Sequence, residues 1–197
     1  RSRRQRQMCI RDRSYSNRGP SNFGGRTRSL VIDRSDPTEN TLIAGAVSGG
    51  VFRTTNGGES WDKVSSNDEI HSVTTIIQDP RVGFEDIWYY GSGELIGNSA
   101  WLGSPYRGQG IWKSIDGGLN WEQMPSTASV QEEYDSPFDY VSRIAIHPIT
   151  GELYAAMIDE IARFDGDEWQ TEIISPFPSS GPAMTDLVIS DTGRVYA

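Results

Sequence analysis

Cysteine is almost missing from the 197-residue sequence: Cys9 is the only one, and no disulfide framework follows from it. No apolar run approaches the roughly 20 residues of a membrane-crossing helix. Near the start there is no apolar core of about 7–15 residues to mark a signal peptide. No stretch of about eleven residues or more keeps a helical period of 3.6, so helices do not organise the chain. Basic residues are scarce beyond the first thirteen. Six arginines and one aspartate lie in 1–13, and the remainder has 12 basic against 26 acidic residues, a net charge of −14. That balance argues against nucleic acid, whose phosphates require a basic surface.

What the sequence does hold is glycine (21 residues) and aromatics (10%), a profile suited to a turn-rich all-β protein. The segment 1–13, with Cys9 inside it, has no apolar period and resembles a translated sequencing adapter. It is set aside as foreign to the fold, and 14–197 is treated as one partial domain. The closing Gly193-Arg194-Val195-Tyr196-Ala197 reads as mid-strand. The expectation is a chain cut at both ends.

Internal repetition decides the fold class. Gly50-Val51-Phe52-Arg53-Thr54-Thr55-Asn56-Gly57-Gly58-Glu59-Ser60-Trp61 returns 60 residues later as Gly110-Ile111-Trp112-Lys113-Ser114-Ile115-Asp116-Gly117-Gly118-Leu119-Asn120-Trp121. A third, eroded copy runs from Glu160 to Trp169. Arg163 is read there in place of the hydroxyl residue, with one residue lost before the Trp, so a shorter hairpin is expected. Two alternating strand-like runs precede each copy, and a short polar one follows the Trp. The units therefore read as four antiparallel strands A, B, C and D. About three and a third blades of a β-propeller result, near 26–66, 71–126, 141–175 and 184–197.

The shared motif is Ser/Thr-x-Asp/Asn-x-Gly-x-x-Trp, carried by Thr54, Asn56, Gly58 and Trp61, then by Ser114, Asp116, Gly118 and Trp121. It resembles the Asp box of sialidases, sortilin-type receptors, xyloglucan hydrolases and exported bacterial repeat proteins. Its chemistry is structural: Asn or Asp accepts from backbone amides, glycine supplies positive φ, and the Trp folds over the bend. In such a meander the C–D hairpins share one face with the A–B turns. A ligand site is expected on the other face, from the B–C and D–A connections.

Those connections are long where length is not needed for closure. The second B–C connection, Gly91 to Gln109, contains Glu94, Asn98, Trp101, Tyr106 and Arg107; the first uses only Ser48-Gly49. The mixture suits stacking on a sugar ring, and packing between blades is the equal alternative. The D–A connection from Ser126 to Tyr140 adds Glu132, Glu133, Tyr134, Asp135 and Asp139. Calcium could bind such oxygens, but no regular ligand spacing is present; no metal or other cofactor is expected. Arg26, Arg28 and Arg143 open A strands near the axis, where a guanidinium could hold a carboxylate.

Gly19-Pro20-Ser21-Asn22-Phe23-Gly24-Gly25-Arg26, Ala44 to Phe52, and Tyr90-Gly91-Ser92-Gly93-Glu94 with Gly97-Asn98-Ser99 are similar to the large exported bacterial proteins with sortilin-like or BNR-type repeats. That resemblance covers about 19–197 and implies extracellular or surface residence, further blades in the same chain, and a carbohydrate or protein ligand. It implies no defined reaction. The arginine-introducing Arg-Ile-Pro of sialidases is absent. The carboxylate that xyloglucan hydrolases carry before the Gly-Gly-x-aromatic strand is absent from Val47-Ser48-Gly49-Gly50-Val51-Phe52. Glu94 and Asp139 form the one candidate acid/base pair. The expectation is a non-catalytic binding or scaffold propeller. The alternative is a glycoside hydrolase, sialidase-like or xyloglucan-hydrolase-like, with part of its active site in blades outside this sequence.

Overall fold

The computed structural model describes residues 26–69, 71–95, 105–128, 136–174 and 185–197. The segment 1–13 and the residues Asn98, Trp101 and Tyr134 lie outside them. Fourteen strands are present among the described residues, and the only helical pieces are 3-10 turns at Pro125–Thr127 and Pro137–Asp139. The first sheet contains β1 (Thr27–Ile32), β2 (Leu42–Ala46), β3 (Gly50–Thr54) and β4 (Asp62–Lys63). The second has β5 (Val73–Gln78), β6 (Trp88–Ser92), β7 (Ile111–Ser114) and β8 (Glu122–Gln123). The third has β9 (Arg143–Ile146), β10 (Leu153–Ala156), β11 (Glu160–Phe164) and β12 (Trp169–Ile174). A two-stranded sheet of β13 (Val188–Ile189) and β14 (Val195–Tyr196) follows. Every pairing is antiparallel and follows chain order, as in a propeller blade. No helix among them is long and apolar enough to cross a membrane.

Each first strand lies against the preceding sheet: β5 on β1 and β2, β9 on β5 and β6, β13 on β9. The core is accordingly a series of seams. Ile43 and Val51 meet Val73, Ile76, Trp88, Tyr90 and Trp112 at the first. Ile111 and Met124 meet Val141, Ile144 and Leu153 at the second, and Ala156 and Ile161 meet Leu187 at the third. Leu30, Ile76 and Ile144 occupy one register position, opposite Ala44, Tyr90 and Ala155. Ile76 is 5% exposed and Ile144 2%, but Leu30 is 57% exposed, because no described sheet covers β1 as β1 covers β5.

Two glycines fix how closely the sheets approach. A Cβ on Gly45 would stand 2.4 Å from Val73 Cγ1, and one on Gly91 would stand 2.6 Å from Val141 Cγ1. They are equivalent in register, opposite Val51 and Ile111, and Ala156 takes the same place opposite Ile161.

A recurring hydroxyl ties the seams. Thr74 Oγ1 shares its one proton between Gly91 O of its own sheet at 3.0 Å and Val141 O of the next at 2.5 Å. Ser142 Oγ repeats this with Ala156 O (2.9 Å) and Thr185 O (2.7 Å). Thr74→Val keeps the shape and removes the donor, leaving buried carbonyls short of a partner. It should lower the unfolding free energy by about 1–3 kcal/mol. Urea titration measures this, and an unchanged midpoint would remove the tie from the account.

The hairpins between third and fourth strands close as the motif requires. Asn56 Oδ1 accepts from Thr54 Oγ1 (2.7 Å) and Ser60 N (3.0 Å), and Gly58 N donates to Thr54 Oγ1 (3.1 Å). Asp116 Oδ1 repeats this with Ser114 Oγ (2.8 Å) and Asn120 N (2.9 Å), and Gly118 N donates to Ser114 Oγ (3.0 Å). Trp61 and Trp121 precede strands in identical register, Arg53 opposite Asp62 and Lys113 opposite Glu122.

The third hairpin differs from the sequence alignment by one place. Arg163 pairs with Gln170, which makes it the counterpart of Arg53 and Lys113, and Phe164 takes the hydroxyl's position. The bend then holds six residues, 164–169, where the first two hold eight. Trp169 still lies between sheets, 4.9 Å from the Phe138 ring and bonded through Nε1 to Ser126 Oγ at 3.2 Å.

Candidate functional site

The face opposite the hairpins gathers charged residues from three connections. Glu94 follows β6 and opens the long connection to β7. Its backbone forms a bridge with Tyr106, N–H to carbonyl in both directions, at 2.7 and 2.8 Å. The two ends of the connection are thereby clamped together. Gly108 N then donates to Asp139 O at 3.0 Å, joining this stem to the turn before β9. Gly93 makes the junction possible: its φ is 96°, and a Cβ there would stand 1.9 Å from Asp139 O.

Both carboxylates of the candidate pair are buried, and both are held by guanidinium groups. The Glu94 side chain is 1% exposed; Oε2 accepts from Arg26 Nη2, and Arg28 Nε lies 3.2 Å from Oε1. Oε1 has no hydrogen-bond partner among the described residues. The Asp139 side chain is 0% exposed, and its Oδ1 accepts from Arg107 Nη2 at 2.9 Å. Asp139 also closes a capping box with Ser136 on the short turn. Of the sequence-derived residues, Arg26, Glu94, Tyr106, Arg107 and Asp139 are thus brought together, with Arg28 beside them. Arg143 is not among them; it pairs with Asp186 at the third seam, 2.9 Å apart. Among the described residues no group of three His, Asp or Glu side chains could hold a metal.

A cleft of about 330 Å³ opens on the same face at the first seam. The turn Val47–Gly50 forms one wall, Lys63, Ser66, Asn67 and Glu69 with His71 and Ser72 another, and Tyr106 a third. Sequence reading missed this connection. Its signal was placement, since it is the first D–A connection, with His71, Ser66 and Glu69 within six residues. His71 is buried at its back. Nδ1 meets Tyr90 Oη at 2.5 Å, Nε2 meets Ser66 Oγ at 3.1 Å, and Ser66 Oγ donates to Glu69 Oε2 at 2.7 Å. Ser66 donates its single proton to Glu69, so it accepts from His71 Nε2–H, and Tyr90 donates to Nδ1. Burial drives the Tyr90 phenol well above its usual range, which keeps that donor protonated.

Burial likewise lowers the His71 pKa from its ordinary 6.5, with Lys63 adding to the effect and Glu69 opposing it. A histidine held neutral when folded takes up its proton more readily when unfolded. Its contribution to stability is therefore present above about pH 6.5 and is lost as pH falls below that value. Thermal unfolding from pH 8 to 5 should show this loss, and His71→Asn should show a shallower slope. Equal slopes would contradict the assignment.

The opposite face is occupied by structural contacts. Arg81 grips Asp79 through Nε (3.0 Å) and Nη2 (2.7 Å) and reaches Thr150 O across the second seam at 3.2 Å. Gln78 joins Arg34 and Asp33 across the first.

No protein-family model matches the chain. A xyloglucanase of a Paenibacillus species is 29% identical over 182 residues, covering 81% of this chain. The chain spans only 16% of that protein's length. Among solved structures, an auxiliary nutrient binding protein from Bacteroides thetaiotaomicron superposes with a TM-score of 0.56 at 14% identity. It covers 86% of this chain and 34% of that one. The GH74 xyloglucanase from Xanthomonas campestris gives 0.52 at 16%, covering 88% and 24%. The likeness is one of fold. An enzyme and a binding protein superpose almost equally well, so the function must be argued from the site.

Proposed function

We propose that this chain is part of an exported, non-catalytic binding or scaffold propeller of the Asp-box type, which takes a glycan, peptide or protein ligand on the face opposite the hairpins. The observation that carries this reading is the state of its two nominated carboxylates. Glycoside hydrolysis ordinarily employs one carboxyl as acid and another as base or nucleophile, about 5–9.5 Å apart and open to substrate. Glu94 and Asp139 are each buried and each engaged by arginine. No carboxylate stands in the turn Val47–Gly50, where xyloglucan hydrolases carry one.

The similarity to a xyloglucanase favours a second reading, a glycoside hydrolase completed by residues beyond this sequence. Hydrolysis assays on a polysaccharide panel separate the two. The first reading expects binding without turnover. Turnover by the intact protein that contains this chain, abolished by Glu94→Gln with the fold retained, would establish the second instead.

A further inference from the structure

We propose that the cleft between the first two sheets is a binding site for one neutral sugar ring, with Tyr106 as its platform and Lys63 and Glu69 as its polar anchors. This rests on the ligand-binding reading above and narrows it to a place and a chemical class.

The cleft's size comes first. Ligand clefts commonly span about 300–1,000 Å³, so a volume of about 330 Å³ suits a single ring better than an extended segment. Its walls are fixed by structure outside it. Tyr106 is 42% exposed, and the two-way backbone bridge to Glu94 fixes its Cα at the edge of the cleft. A pyranose offers a C–H face to such a ring and a rim of hydroxyls around it.

The polar groups at the rim are held in place while keeping capacity for a ligand. One Glu69 oxygen accepts from Ser66, and no partner among the described residues engages Oε1. Lys63 Nζ donates one proton to Asn67 Oδ1 at 2.7 Å and has two more. The site therefore offers both an acceptor and a donor, as a hydroxyl group requires.

Charge selects for neutrality. Lys63 and Glu69 carry opposite charges and form no ion pair with each other, and His71 behind them stays uncharged at neutral pH. The cleft as a whole is close to neutral. A free amino acid or chain terminus, with two full charges on adjacent atoms, calls for charges set side by side. Spaced donors and acceptors around a flat ring match a polyol.

The test is titration of the whole chain with methyl glucoside, methyl galactoside, methyl xyloside, methyl glucuronide and diglycine, followed by ligand-observed NMR and calorimetry. At least one neutral glycoside should bind in the millimolar range, more tightly than the glucuronide or diglycine. Tyr106→Ala should weaken it about tenfold, and Tyr106→Phe should hold it within about twofold. Glu69→Ala and Lys63→Ala should each weaken it about tenfold. Tyr106 acts on the fold through its backbone, so circular dichroism of Tyr106→Ala should match the parent. Glycoside binding untouched by all three alanine variants overturns the proposal, as does preference for diglycine or the glucuronide. A glycan or peptide on an array that binds parent and variants alike removes this cleft and leaves the face-level reading standing. Absence of any glycan, peptide or protein ligand removes both.

Discussion

Trp112→Ala is expected to remove about 3–5 kcal/mol from the unfolding free energy, or roughly 6–20 °C from the melting temperature. Trp112 is 3% exposed and lies at the centre of the first seam. Its ring is nearly parallel to Tyr90, with centroids 5.8 Å apart and 7° between planes. The His71 ring approaches it at 4.9 Å, and Trp121 meets Tyr90 edge-on at the same distance. Truncation leaves a cavity that strands on both sides cannot fill without bending. The indole N–H of Trp112 has no partner among the described residues, so Trp112→Phe loses area but no hydrogen bond. The phenylalanine variant should therefore retain most of the stability. Denaturant titration of both variants checks the order. A cost under about 1 kcal/mol for the alanine would mean that the seam is not a packed core.

Arg107→Ala should be comparably damaging, for an electrostatic reason. Asp139 has no exposed side-chain surface, and Arg107 is the cation that pairs with it. Removing one member of a buried ion pair typically costs about 3–5 kcal/mol, because the remaining charge loses its opposite-charge compensation in a dry site. The reverse change should be milder. Asp139→Asn keeps an oxygen for hydrogen bonding and carries no charge, and Arg107 retains a route to water through its 17% exposed side chain. The expected order is thus Arg107→Ala well below Asp139→Asn, itself below the parent. An inverted order would indicate that Arg107 serves a ligand rather than the stem of the connection. In that case the alanine variant would lose binding with its melting temperature intact.

The repeated hairpins were legible from sequence because their chemistry is local. Thr54, Asn56, Gly58 and Trp61 act within eight residues of one another, and glycine's backbone freedom leaves a visible mark. The third copy misled by one position. Its Trp169 kept the register while Phe164 replaced the hydroxyl, and only the pairing of Arg163 with Gln170 reveals that. The seams were far less legible. Thr74 and Ser142 look like ordinary strand residues, and their role depends on carbonyls of the next sheet, 67 and 43 residues away.

The candidate site was legible only as a face. Glu94 and Arg26 were both noticed, but their contact spans 68 residues, and nothing local announces it. Burial of the two carboxylates was equally hidden, because Glu and Asp on long polar connections ordinarily read as solvated. The cleft at the first seam went unseen for a related reason. Lys63, Ser66 and Glu69 form an unremarkable polar run until β6 brings Tyr90 up behind His71.

The hydrogen atoms at Gly45 and Gly91 reach further than their own contacts. In a wheel of wedges, the rotation from one wedge to the next decides how many fit around the hub. At the first two junctions that rotation is set where a valine rests directly on bare backbone. Ala156 interposes a methyl group at the third, where it shares a cluster with Ile161 and Leu187. The spacing of successive wedges is thus under the control of the smallest side chains between them, and enlarging any one of them would alter the angle between neighbouring sheets as well as a single contact.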